Sequence, residues 1–145
     1  MQTVERVIIQ ATPAAIWRVL ADVERWPTWT PTVEHVQPLT SDGLRIGARY
    51  RVTQPKLRPA IYEVTECAPH KAFTWVQKAA GATMIADHRL IGDATSTEVE
   101  LSFATEGLMG VLLGSMYAKR IAEYVKMEAR SLKAYCEKLP AAATA

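Results

Sequence analysis

The chain has little cysteine, little net charge and no long apolar run, and each shortage closes off a class of function. Its 145 residues include two cysteines, Cys67 and Cys136, far apart and outside any CxxC pattern. That pattern argues against a disulfide scaffold or a cysteine-bound metal, and the pair reads as reduced core thiols of a cytoplasmic protein. Seventeen Lys and Arg against fifteen Asp and Glu leave a net charge of +2 with no basic run, which argues against nucleic acid or an anionic membrane as a partner. The longest apolar stretch, LMGVLLGSMYA from Leu108, is about half of what a membrane span needs. The N-terminus passes directly into TVERVIIQ, which carries Glu5 and Arg6, so no signal peptide is expected. There is no GxSxG, no HExxH, no GxGxxG and no phosphate loop, and no two of the three histidines have metal-ligand spacing. Neither a metal nor an organic cofactor is expected.

What remains is a composition that is 49% hydrophobic and 22% charged, at the length of one globular domain. The expected domain runs over 1–139, with PAAATA (140–145) as a flexible tail. TVERVIIQ reads as a strand. Thr12 caps a helix with Pro13 in its first position, and Ala15, Ile16, Val19 and Leu20 share one face of it. Pro27 and Pro31 stop that helix. Period-two patterns then predict strands near 33–39, 48–54, 60–66 and 72–78, and on either side of the turn DATS. The clearest places Val99, Leu101 and Phe103 on one face and Glu98, Glu100 and Ser102 on the other.

From Leu108 to Leu139 one long helix is expected, with Val111, Ala118, Ile121, Val125, Ala129, Leu132, Cys136 and Leu139 as its apolar stripe. A run of strands with one apolar face needs a cover, and this helix is the only element long enough. The predicted class is α+β, a curved antiparallel sheet around a long C-terminal helix. A cavity is expected between the sheet and the helix's N-terminal half.

In this layout the chain resembles the START-like, or SRPBCC, superfamily with its helix-grip fold, and within it the polyketide cyclase/dehydrase and lipid-transport group. The resemblance rests on ATPAAIWRVLADVERWPTWTPTVEHV, with its Pro-started helix and W-x-x-W-x-P segment, on YEVTECAPHKAFTW, and on HRLIGDATSTEVELSF. It implies an internal hydrophobic cavity holding a lipid, isoprenoid or polyketide-like molecule, as a carrier or sensor. The alternative it leaves open is a cyclase or dehydrase using the same cavity. A third is a partner-binding protein with a vestigial pocket, and a homodimer also stays open.

The candidate ligand-binding residues follow from strand phase, from the Gly- and Met-rich start of the long helix and, for Trp26 and Trp29, from the resemblance, which implies that the short segment after the first helix lies over one end of the cavity. From the loop and early strands come Trp26, Trp29, Tyr50 and Tyr62. The later strands supply Trp75, Met84, His88 and Phe103, and the long helix Met109, Leu112 and Met116. Trp26 and Trp29 read either as the wall of the cavity or as a plug at the end of the core. His88 is the candidate acid–base group, with a hydrogen-bonded core histidine as the alternative. Asp87 and Arg89, on the opposite strand phase, read as a solvated pair, and Glu106 as favouring a helix N-terminus. Gly107, Gly110 and Gly114 weaken the long helix where it begins, which points to close packing on the sheet or to a flexible gate.

Overall fold

Thr12 sets the first turn of the chain by capping the helix that follows: its Oγ1 accepts the Ala15 N–H at 3.1 Å, and Pro13 occupies the first helical position. The structure, a computed structural model, describes residues 1–140. Most of the tail expected over 140–145 therefore lies outside the described residues. Strand β1 (Gln2–Ile9) precedes helix α1 (Pro13–Ala21) and a single 3-10 segment, Val23–Thr28. Strands β2 (His35–Pro38), β3 (Arg49–Thr53), β4 (Ala60–Ala68), β5 (Ala72–Ala79), β6 (Ala82–Gly92) and β7 (Thr97–Glu106) follow, and helix α2 (Leu108–Lys138) ends the fold.

The strands form one seven-stranded antiparallel sheet in the order β1-β7-β6-β5-β4-β3-β2. The turn between β6 and β7 is held by Asp93, whose Oδ1 accepts the N–H groups of Thr95 and Ser96. A register shift between Val64 and Glu66 bends β4 and adds to the curvature. On the concave face the strand phase is the one the alternation predicts: Phe73, His88 and Leu101 lie in one row, and Trp75, Ala86 and Phe103 in the next. The outer face carries the expected pair, Arg89 Nε donating to Asp87 Oδ2 at 2.6 Å.

Helix α2 lies across β1, β7 and β6. Its C-terminal half is pinned to the first strand and the segment after it: Lys133 Nζ donates to the Ile8 carbonyl at 2.6 Å, and Glu137 accepts the Gln10 N–H at 2.8 Å. There the apolar stripe is as expected, with Ala129, Leu132 and Cys136 buried among Ile9, Ile16, Leu20 and Val99. Each large aliphatic chain so buried contributes roughly 1.5–3 kcal/mol.

The N-terminal half departs from the expected stripe. Gly110 and Gly114 face the sheet, together with Leu113, Tyr117 and Ile121, whereas Val111 points to solvent. The physical reason is clearance. A Cβ on Gly114 would come within 2.5 Å of Thr105 Oγ1 and 2.9 Å of Met1 Cβ, so only the smallest residue allows the helix this close to β7. The glycines serve close helix–sheet approach, and the large apolar side chains around them turn outward.

Candidate functional site

Between the middle of α2, from Leu113 to Glu128, and the concave face opens a cavity of about 970 Å³. Its inner wall is aromatic. Trp75 stands at the centre, with ring centroids of Tyr62 at 5.1 Å, Trp26 at 5.3 Å and Phe73 at 5.5 Å. Trp26 comes from the 3-10 segment, and its indole is fixed by donating Nε1–H to the Leu20 carbonyl at 3.0 Å. Such ring pairs, offset and tilted, add a fraction of a kcal/mol to about 1.5 kcal/mol each beyond the area they bury.

Two titratable groups sit in this aromatic shell. The His88 ring stacks on Phe73 at 4.0 Å with an interplanar angle of 12°, and its Nδ1 lies 3.1 Å from the Phe73 carbonyl. A carbonyl can only accept, so Nδ1 carries the proton and Nε2 presents its lone pair to the cavity. Facing it across 3.9 Å is Oε1 of Glu128, a residue of α2 whose side chain is 14% exposed. Burial lowers the His88 pKa to about 4, opposed by its bond to Phe73 and by Asp87. Burial raises that of Glu128 to about 7, opposed by a hydrogen bond from Thr32. Between those values both groups are neutral, so they form no ion pair. Glu128 offers an O–H donor and His88 Nε2 an acceptor, with Thr30 and Thr32 linked behind them at 2.8 Å. A single oxygen atom can sit at hydrogen-bond distance, about 2.8 Å, from both. Burial also raises the pKa of the Tyr62 hydroxyl, which stays protonated.

Toward solvent the cavity is bounded by Lys56, Leu57, Arg58 and Pro59, by Ala79 and by Tyr117. The loop between β3 and β4 is tied to α2: the Tyr124 hydroxyl donates to the Pro55 carbonyl, and Arg120 Nη1 to the Lys56 carbonyl at 3.4 Å.

Of the residues expected to line the site, Trp26, Tyr62, Trp75, His88 and Phe103 do so. Trp29 does not: it packs behind Trp26 at 5.5 Å, because it stands in the turn that ends the 3-10 segment (φ −125°, ψ −13°), where its side chain enters the core. Tyr50 is likewise in the core behind Trp75, at 6.0 Å. Met84 has the inward phase but stands between Gln77 and Thr105 in register, on the row where the first turns of α2 close onto the sheet. Met109 packs on Gly81, and Leu112 and Met116 face solvent on the outside of α2. Glu128 was not among the expected residues. Its signal was present, since it falls on the apolar stripe between Val125 and Leu132, where a carboxyl has no place in a plain core.

The family model for polyketide cyclase / dehydrase and lipid transport proteins matches residues 1–137. The chain belongs to that family. Among solved structures, this family member is similar to the Zhui aromatase/cyclase from Streptomyces sp. R1128, with 17% identity, a TM-score of 0.71, and 98% of this chain and 97% of that one covered. It is also similar to a START superfamily protein from Mycobacterium smegmatis, at 17% identity and a TM-score of 0.70 over 96% and 99% of the chains. A hypothetical protein from Helicobacter pylori gives a TM-score of 0.79 at 14% identity over 94% and 88%. At these identities the likeness speaks for the fold. A search of curated proteins finds no match. Among the described residues no helix is long and apolar enough to cross a membrane.

Proposed function

We propose that this protein binds a small, mostly apolar molecule in the cavity and meets its one deep polar group with Glu128 and His88. The observation that carries this reading is the neutral donor–acceptor pair at the inner end of an aromatic cavity of about 970 Å³. The inner end has no Lys or Arg, so a carboxylate or phosphate buried there would be an unpaired charge. A hydroxyl or phenol oxygen fits, accepting from Glu128 and donating to His88 Nε2. The ligand class is therefore lipid, isoprenoid or polyketide-like with a neutral oxygen at the buried end, and any anionic group would lie outward, beside Lys56 and Arg58.

Native mass spectrometry of protein purified from its own host tests this, with a retained neutral or weakly acidic apolar molecule as the expected result. A protein that retains nothing and takes up no apolar fluorophore would overturn it.

A second reading, a cyclase or dehydrase, is supported by the same pair, because a group that keeps its proton to about pH 7 faces a free nitrogen base. Glu128→Gln separates the two. The amide still donates a hydrogen bond, so ligand affinity falls less than about tenfold. An enzyme that needs the Glu128 proton loses about 10²–10⁴-fold in turnover.

A further inference from the structure

The first turns of α2 have the reverse of the usual amphipathic pattern. Glycines meet the sheet, while Leu108 (87% exposed), Val111 (52%), Leu112 (52%) and Met116 (67%) face solvent, with Met109 (40%) at their edge. A contiguous apolar patch on a monomer marks a surface that is covered at some point in its working cycle. The charge around it says by what. The three segments that frame the cavity mouth, 54–59, 77–82 and 106–120, carry Lys56, Arg58, Lys78, Lys119 and Arg120 against one carboxylate, Glu106. The whole chain is only +2, so the rest of the molecule is net acidic. Lys119 lies on the same helix face as Leu108 and Leu112, two turns beyond the latter, and Lys56 is brought beside Arg120 by its carbonyl.

We propose that this end of the molecule docks on an anionic lipid bilayer, with Leu108, Val111, Leu112 and Met116 in the headgroup boundary and the five cations over lipid phosphates. An apolar face edged by Lys and Arg on a partly exposed helix is the chemistry of an interfacial anchor. A second copy of the chain fits worse, because a symmetric contact would bring two cationic rims together. The docked surface surrounds the cavity mouth, so an apolar molecule could pass between bilayer and cavity without crossing water. The docking itself stands on the surface and not on the ligand reading.

The test is flotation of the full chain with phosphatidylcholine vesicles, with and without phosphatidylglycerol, alongside uptake of an apolar fluorophore in solution. The expected result is binding to the phosphatidylglycerol vesicles that weakens as salt rises. Leu112→Glu with Met116→Glu abolishes it, and Lys78→Gln with Lys119→Gln weakens it about tenfold or more. All four positions are exposed, so fluorophore uptake should be retained in both variants, which reports the fold and the cavity separately. Failure of the parent protein to bind anionic vesicles while still taking up the fluorophore overturns the docking and leaves the cavity reading intact. Equal binding to both vesicle types overturns it as well. So does a homodimer that the Leu112→Glu/Met116→Glu variant disperses without any vesicle binding by the parent.

Discussion

Glu128 keeps its proton in the fold up to about pH 7, against an ordinary value of 4.5, because ionising it would place a charge among indoles and a phenol ring. In the unfolded chain the same carboxyl ionises near its ordinary value. The folded state therefore binds more protons between those limits, and stability contributed by this group is full below 4.5 and lost as pH rises toward 7. Glu128→Gln should raise stability by about 2–3 kcal/mol at pH 8, with the gain shrinking toward zero near pH 4. Denaturant unfolding of both proteins across that range checks it, and a gain that grows toward acid would refute the assignment. A second residue-scale expectation separates the two neighbouring indoles. Trp26 lines the cavity with Trp75 and Trp29 stands behind it, so Trp26→Phe should reduce the emission change on fluorophore binding to the share that Trp75 carries and Trp29→Phe should leave it. Equal losses from the two would put both rings at the ligand. Sequence patterns located Trp26, Tyr62, Trp75, His88 and Phe103 because strand alternation and a proline-bounded turn fix their side. Nothing local told Trp29 from Trp26, since which of two adjacent rings meets the ligand depends on packing from β5.

Among the elements, the strands were readable and the start of the long helix was not. Alternation specifies a strand's buried face because a one-residue slip exposes all of it. A helix phase read from apolar spacing assumes that large side chains seek the core, and α2 breaks that assumption over Leu108–Met116. Its glycines mark the side that faces β7. Gly110 and Gly114 differ in a way that can be measured. The nearest atom to a Cβ on Gly110 is 3.6 Å away, an ordinary contact, whereas at Gly114 the clearance is 2.5 Å to a β-branched side chain. Alanine is favoured over glycine within a helix by about 1 kcal/mol. Gly110→Ala should therefore stabilise by up to about 1 kcal/mol. Gly114→Ala should destabilise by about 1–2 kcal/mol, overpacking outweighing propensity. Thermal melts of the two variants decide it, and a gain at Gly114 would mean that the helix is free to lift from the sheet.

At the scale of the whole molecule, the seven strands run in chain order across the sheet except for β1, which pairs with β7 from Gln2 opposite Ala104 to Ile9 opposite Thr97. The helix-grip arrangement was readable because the strand run needed a cover and the chain offered one. The end-to-end pairing was not read from the sequence, since no local pattern says which edge the first strand joins. That pairing governs the order of assembly. Strands β3 to β7 are joined by short connections and can form hairpins locally, but β1 has no neighbour until the last strand exists. A fold so dominated by long-range pairing should form on the order of milliseconds to seconds. Ile9→Val, which removes a buried methyl group, should cost roughly 1 kcal/mol and show it almost entirely as unfolding about fivefold faster. Stopped-flow rates in both directions test this, and a matching fall in the folding rate would place β1 in the nucleus. On a ribosome the same geometry means that α1 with Trp17, and Trp26 and Trp29 after it, emerge long before anything can cover them, so the nascent domain carries unsheltered apolar surface until β7 and α2 have followed.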